Sequence, residues 1–324
     1  MPIARACLLY CLLLGIFSAC NRKVLLIEAS TEGCIIPESS HEYDSLVVVS
    51  AQEIPFDTVD CGAAIKKRYT NRAINMVKDM RIMPLLCELN RLSLNKDNHT
   101  ALLGIKTEIQ QRVLAAITDL SSLQAEIACE RERMQEVYEY LSGWINNRIN
   151  KATVYSILAG GVTTVIASSI ALKGNEDVPR FEQGFTVLGA VAGAYYSFRS
   201  LAVHKKIKLL HDRNHLTDIW NKKPQSRIYP LYIWSYISKI FYKGGKSTTG
   251  IEEVLKKWKA LGLIGEPTDK QYAQKVNLLF GLGGDYTQAD LENRQKMYEI
   301  LMDEIITINY DLNRLMEEII LNTK

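Results

Sequence analysis

The sequence predicts a mainly α protein in which long coiled-coil-like helices flank a small-residue-rich hydrophobic helical hairpin. Three observations carry that prediction. An uncharged stretch, VYSILAGGVTTVIASSIAL, starts at Val154, and a second, GFTVLGAVAGAYYSF, ends at Phe198, with the polar link KGNEDVPRFEQ between them. Apolar residues recur at alternating steps of four and three through 102–149, and again through 291–321. Such a seam buries itself against another helix.

The bulk composition constrains little beyond this. A chain of 324 residues, 47% hydrophobic and 23% charged, is long enough to bury a real core. A net charge of +3 points to no nucleic-acid partner. The chain divides into residues 1–20, a tether at 21–60, a helical region at 61–150, the hairpin at 151–203 and a C-terminal helical region at 204–324.

Residues 1–20 read MPIARACLLYCLLLGIFSAC: one basic residue, Arg5, an apolar stretch from Ala6 to Phe17, then two small residues before Cys20. This is the layout of a secretory signal, short for a transmembrane helix. Phe17-Ser18-Ala19-Cys20 resembles the lipobox of bacterial lipoproteins, with Phe17 where Leu, Val or Ile is usual. The resemblance implies removal of the signal, acyl chains on Cys20, a membrane-anchored body in the cell envelope and, with Asn21 next, permitted sorting to the outer membrane. More than one acyl chain gives stable anchoring to membrane lipid. The alternative is an uncleaved signal anchor with a cytoplasmic body, mildly favoured by Arg22 and Lys23 after the apolar run.

In the tether, the β-branched run SLVVVS at 45–50 is the best candidate for order, and Pro37 and Pro55 argue against a folded domain. Once Cys7, Cys11 and Cys20 are set aside, Cys34, Cys61, Cys87 and Cys129 remain. An exported chain can pair Cys34 with Cys61, both in loop-like sequence, leaving Cys87 and Cys129 as small core residues of helices. Helical spacing begins near Cys61, and Pro84 breaks it.

The seam of the long helix is Ile109, Val113, Ala116, Leu120, Leu123, Ile127, Met134, Val137, Leu141 and Trp144, with Glu130 the polar residue in register. No breaker separates it from the first hairpin arm. In the arms Gly160 and Gly161, and Gly189 and Gly193 in a G-x-x-x-G spacing, are candidate packing positions where backbones approach closely. The first arm approaches the roughly 20 apolar residues that span a bilayer; the second reaches that length only if Arg199 snorkels. The alternative is a hairpin sheltered in a helical core.

Beyond the hairpin, 204–221 is basic and reads as a continuation of the second arm. As a helix it would align His204, His211 and His215 on one face, a polar face rather than a metal site because no further ligand is in register. LYIWSYISKIFYK is the most aromatic stretch and suits either a bilayer interface or a core patch. Gly244-Gly245-Lys246-Ser247-Thr248 lacks the first glycine of a phosphate loop, Ile240 standing there, and reads as a flexible linker. Two short helices follow at 251–263 and 270–282, stopped by Gly281, Gly283 and Gly284. Thr287, with Asp290 three residues on, caps the last helix, whose seam is Leu291, Tyr298, Leu301, Ile305, Ile308, Leu312, Leu315 and Ile319. The two seamed helices can pair antiparallel with each other, or one can seek a protein partner or a second copy.

Nothing in this inventory is catalytic, and it implies no enzyme, cofactor or metal. Cations cluster at the base of the hairpin (Arg148, Lys151, Arg199, Lys205, Lys206, Lys208), whereas the tip carries Lys173 and Arg180. That bias puts the base in the cytoplasm if the hairpin spans the inner membrane, on the side opposite to a lipid-anchored body. Shelter of the hairpin in a soluble helical bundle after export, its late insertion into another membrane, or an uncleaved N-terminal anchor would each resolve the conflict. A hydrophobic hairpin between long helices also resembles, in architecture alone, the α-helical pore-forming toxins of the cytolysin A and haemolysin BL type, which implies a membrane-permeabilising effector. The remaining expectations are a non-enzymatic envelope lipoprotein or a three-span inner-membrane protein.

Overall fold

The computed structural model describes Cys34 and residues 61–94, 99–171, 191–196, 205–211, 213–243 and 246–323, side chains 159–171 and 242–243 excepted. Cys7, Cys11, Cys20, the run 45–50, Gly189, the hairpin tip and His204 lie outside the described residues.

Three short helices, α1 (Gly62–Arg68), α2 (Asn71–Asp79) and α3 (Met83–Ser93), precede the long α4 (His99–Ala171). Thr70 caps α2, its hydroxyl accepting from the Ala73 amide at 3.3 Å. Pro84 sits at the start of α3, where its missing N–H costs nothing. The break between α2 and α3 falls at Arg81, which takes a left-handed φ of 56°.

Every α4 seam residue from Ile109 to Leu141 is buried, and so is every expected seam residue of the last helix, α9 (Gln288–Asn322). They bury each other. Asn309 Nδ2 donates to Gln124 Oε1 at 3.5 Å, while Tyr298 feels the charge of Glu130, so position rises along one helix as it falls along the other. The pair is therefore antiparallel. Each seam holds one ionic residue in register, Glu130 and Arg294, a device that can fix register in paired helices. Thr287 and Asp290 form a reciprocal capping box at the start of α9.

The segments before and after the hairpin share this one core. Thr70 donates from its amide and hydroxyl to Glu318 at 2.8 and 2.7 Å, tying α2 to the C-terminal end of α9. The aromatic stretch forms α6 (Leu231–Ser238), which buries Tyr232, Ile233, Trp234 and Ile237; the core-patch reading holds for these residues. Tyr232 donates to the Ala116 carbonyl of α4, and Tyr236 donates to Asp311 of α9 at 2.5 Å. Trp258 of α7 (Gly250–Ala260) is fully buried and donates to the Met297 carbonyl at 3.2 Å.

Three expectations change. Residues 207–210 are not a continuation of the second arm but a strand, β1 (Ile207–Leu210), antiparallel to β4 (Gly283–Tyr286). Ile207 and Leu209 are buried while Lys208 and Leu210 are exposed, an alternation of two rather than of 3.6. A four-residue helix face for the histidines is thereby removed: His211 follows the strand, and His215 starts the short helix α5 (His215–Trp220). Second, the supposed linker is a β-hairpin, β2 (Phe241–Lys243) with β3 (Lys246–Thr248), the strands meeting on either side of Gly244-Gly245. Third, the glycines after α8 (Tyr272–Phe280) do more than stop it. Gly283 has φ +92°, and a Cβ there would stand 2.2 Å from the Leu209 carbonyl, so β4 can pair with β1 only without a side chain at that position.

The cysteine pairing also differs. Cys34 is bonded to Cys129 (Cα–Cα 5.8 Å) and Cys61 to Cys87 (Cα–Cα 5.7 Å), so Cys87 and Cys129 are bridge partners rather than inert core thiols, and Cys34 does not pair with Cys61. Cys129 sits near the middle of α4, which pins half-buried Cys34 beside that part of the helix; Cys61 is drawn to α3 because α1–α3 fold back on themselves.

Candidate membrane-contact site

Helix α4 continues without a break from the core into the first hairpin arm, as its sequence predicts. At 1.5 Å per residue its 73 residues measure about 110 Å. Its last fully buried seam residue is Leu141. Past it the side chains turn outward: Val154, Tyr155, Ile157 and Leu158 are all more than half exposed, as is Val191 on the second arm.

Residues 191–196 are helical and lie beside this part of α4. Ser156 Oγ donates to the Gly193 carbonyl at 3.1 Å, and a Cβ at Gly193 would be in ordinary contact with Ser156 at 3.8 Å. Tyr196 packs on Tyr155 at 5.9 Å and on Tyr195 at 5.5 Å between ring centroids. Gly193 thus lies beside Ser156 of α4 with room for a Cβ, so this contact does not itself require a glycine. Gly160 and Gly161 are in the helical continuation of α4, with their surroundings outside the described residues, as is Gly189. Among the described residues no helix is long and apolar enough to cross a membrane.

Just below the exposed apolar residues lies an aromatic and cationic group. Lys205 Nζ stands 4.3 Å from the Trp144 ring centre and 5.7 Å from that of Tyr140, and the Arg148 guanidinium lies 5.2 Å from Trp144. Burial, and behind it the charge of Arg148, holds the Lys205 ammonium below the ordinary lysine range. Sequence alone placed Trp144 in the seam and Lys205 on a helix; the basic bias at the base of the hairpin was the signal that could have joined them.

A second polar cluster lies inside the bundle, where α4, α5, β4 and α9 meet. Fully buried Arg294 donates to the Leu279 carbonyl, to Asn214 Oδ1 at 3.0 Å and to the Tyr298 hydroxyl at 2.9 Å. Tyr286 OH donates to the Leu278 carbonyl at 2.6 Å, which leaves it to accept from His211 Nε2 at 2.8 Å and fixes the tautomer, with Nδ1 finding no partner among the described residues. Burial, with the charges of Arg294 and Arg133 behind it, depresses His211 to about 2. Burial raises Tyr229, Tyr286 and Tyr298. None of these four groups offers an acid or a base near neutral pH. Glu126, meanwhile, accepts from His215 Nε2 at 3.0 Å and lies 3.4 Å from Arg213. The cluster holds α4, α5, β4 and α9 together.

An open cleft of about 610 Å³ beside α8 mixes Lys206, Lys270 and Lys275 with Asp269, Asp285 and Asp290, and the hydroxyl–carboxylate pair in its lining, Thr287 with Asp290 at 2.6 Å, belongs to the capping box of α9. Among the described residues no group of three or more His, Cys, Asp or Glu is arranged to hold a metal. Comparison with family models, with curated proteins and with solved structures finds no match to this chain.

Proposed function

We propose that the chain is a non-enzymatic, lipid-anchored protein of the bacterial envelope that associates with membrane through its hairpin and supports the assembly of an envelope complex. The observation that carries this is the base of the hairpin: α4 runs out of the core and presents Val154, Tyr155, Ile157 and Leu158 to the outside, beside a packed second arm. Four exposed apolar side chains within five residues of one helix are costly in water unless membrane or a partner covers them. The bridges Cys34–Cys129 and Cys61–Cys87 support an exported body over a cytoplasmic one, because paired cysteines persist in oxidising compartments. The seams are used within the molecule, so a partner or second copy would use outer faces such as that of Leu114 and Tyr310, which are exposed.

The test is acyl labelling and intact mass of the membrane-extracted protein, beside Cys20→Ala. A mature chain beginning at an acylated Cys20, with labelling lost in the variant, is the expected result. A full-length, unacylated chain overturns the lipoprotein reading in favour of a three-span inner-membrane protein.

The same hairpin between paired helices favours a second reading, a membrane-permeabilising effector. Dye release from liposomes separates the two, and absence of leakage across pH and lipid types removes the effector.

A further inference from the structure

We propose that Trp144, Arg148, Lys151 and Lys205 form a binding site for the phosphate of an anionic phospholipid headgroup, which sets the hairpin preferentially on anionic membrane. The proposal deepens the membrane-association reading and rests on it.

Trp144, Asn147, Arg148 and Lys151 fall at i, i+3, i+4 and i+7 on α4, which puts them on one helical face, and they line a pocket of about 290 Å³. The lining offers a guanidinium, an ammonium and a side-chain amide and, among the described residues, no carboxylate. Guanidinium groups match phosphate oxygens in pairs, and an ammonium adds a point charge. Lys205 Nζ lies over the Trp144 ring, next to the pocket rather than in its lining, and among the described residues it has no hydrogen-bond partner, so its charge adds to the field at the pocket. Among the described residues no acidic side chain forms an ion pair with Arg148, Lys151 or Lys205.

The sequence around the site is depleted of negative charge to an unusual extent. From Tyr140 to Ala171 there is no Asp or Glu, and there is none from Val191 to His211 on the return. Both strands of the hairpin base are therefore purely cationic. Elsewhere some exposed lysines lie against carboxylates, as in Lys222–Glu252 and Lys296–Glu299.

The spacing along α4 also matches a bilayer boundary. Arg148 precedes Val154, the first of the exposed apolar residues, by six residues, or about 9 Å of helix, close to the roughly 5–8 Å depth of one headgroup layer. With the apolar residues at the hydrocarbon edge, Lys151 and Arg148 lie at phosphate depth.

The experiment measures partition of the full chain carrying Cys20→Ala, so that no acyl anchor contributes, onto vesicles of phosphatidylcholine with and without phosphatidylglycerol. The quantity read is the anionic-to-neutral ratio, in which apolar contributions common to both cancel. The expected ratio is well above one and falls about fivefold for each of Arg148→Gln, Lys151→Gln and Lys205→Gln. A variant lacking three exposed cations elsewhere, Lys256→Gln with Lys257→Gln and Lys270→Gln, keeps most of the preference. A ratio near one in the unsubstituted site overturns the headgroup site but leaves hairpin association standing. A preference that survives loss of all three site cations, or that the control variant loses equally, also overturns it. Binding to neither vesicle removes the membrane-association reading itself, and the headgroup site with it.

Discussion

Acidification from about pH 7 to about pH 5 should weaken the fold through one imidazole, and the size of the effect follows from where His211 sits. It is 3% exposed, its Nε2 donates to Tyr286, and two guanidinium groups, Arg294 and Arg133, oppose its protonation. Its folded pKa is depressed from 6.5 to about 2. The unfolded chain therefore binds a proton that the folded chain refuses, so stability rises with pH between those values. The contribution is whole above the unfolded pKa and shrinks as pH falls below it. By about pH 5 the loss is about 1.5 pH units at 1.36 kcal/mol each, or roughly 2 kcal/mol. Urea unfolding at a series of pH values measures it, with His211→Phe as the comparison. Phenylalanine keeps an aromatic ring beside Tyr286 and removes the titration, so the variant should lose this part of the slope whatever its stability at pH 7. If the variant keeps the slope, or if His211 in the folded protein titrates near 6.5 by NMR, the reasoning is refuted.

Two further outcomes test the long-range contacts. Non-reducing peptide mapping should recover Cys34 with Cys129 and Cys61 with Cys87, and the chain-entropy relation for a separation of 26 residues assigns the second bridge about 3.5 kcal/mol, read as the stability lost on Cys61→Ala with Cys87→Ala; a Cys34–Cys61 peptide would contradict the pairing. Gly283→Ala drives a Cβ to 2.2 Å from the Leu209 carbonyl and should separate β1 from β4, seen as faster amide exchange at 207–210, whereas Gly262→Ala, with nothing within 4 Å although its φ is positive, should leave those amides unchanged.

What was legible in the sequence is what repeats at short range. The seams of α4 and α9 announce themselves because residues three and four apart share a helix face, and every expected α9 seam residue is buried. Thr287 with Asp290 marks a helix start because the capping bonds close within three residues. The continuity of α4 into the hairpin follows from the absence of any proline, or other breaker, between Ile149 and Val154.

Tertiary structure decided everything that depends on residues far apart in the chain. Ile207–Leu210 is a strand because Gly283–Tyr286, more than 70 residues on, lacks the side chains that would block pairing; alone, four residues carry too little period to overrule a helical reading. The aromatic stretch at 231–238 suits membrane and core equally by composition, and the supply of partners, Ala116 and Asp311, puts it inside. Arg294 occupies a seam position that a hydrophobic pattern passes over, and it is tolerated because Asn214, Leu279 and Tyr298 converge on it from three elements. Cysteine pairing is the plainest case. Four cysteines allow three pairings at any spacing, and only the folding of α1–α3 back on themselves, with Cys34 brought to the middle of α4, selects one of them.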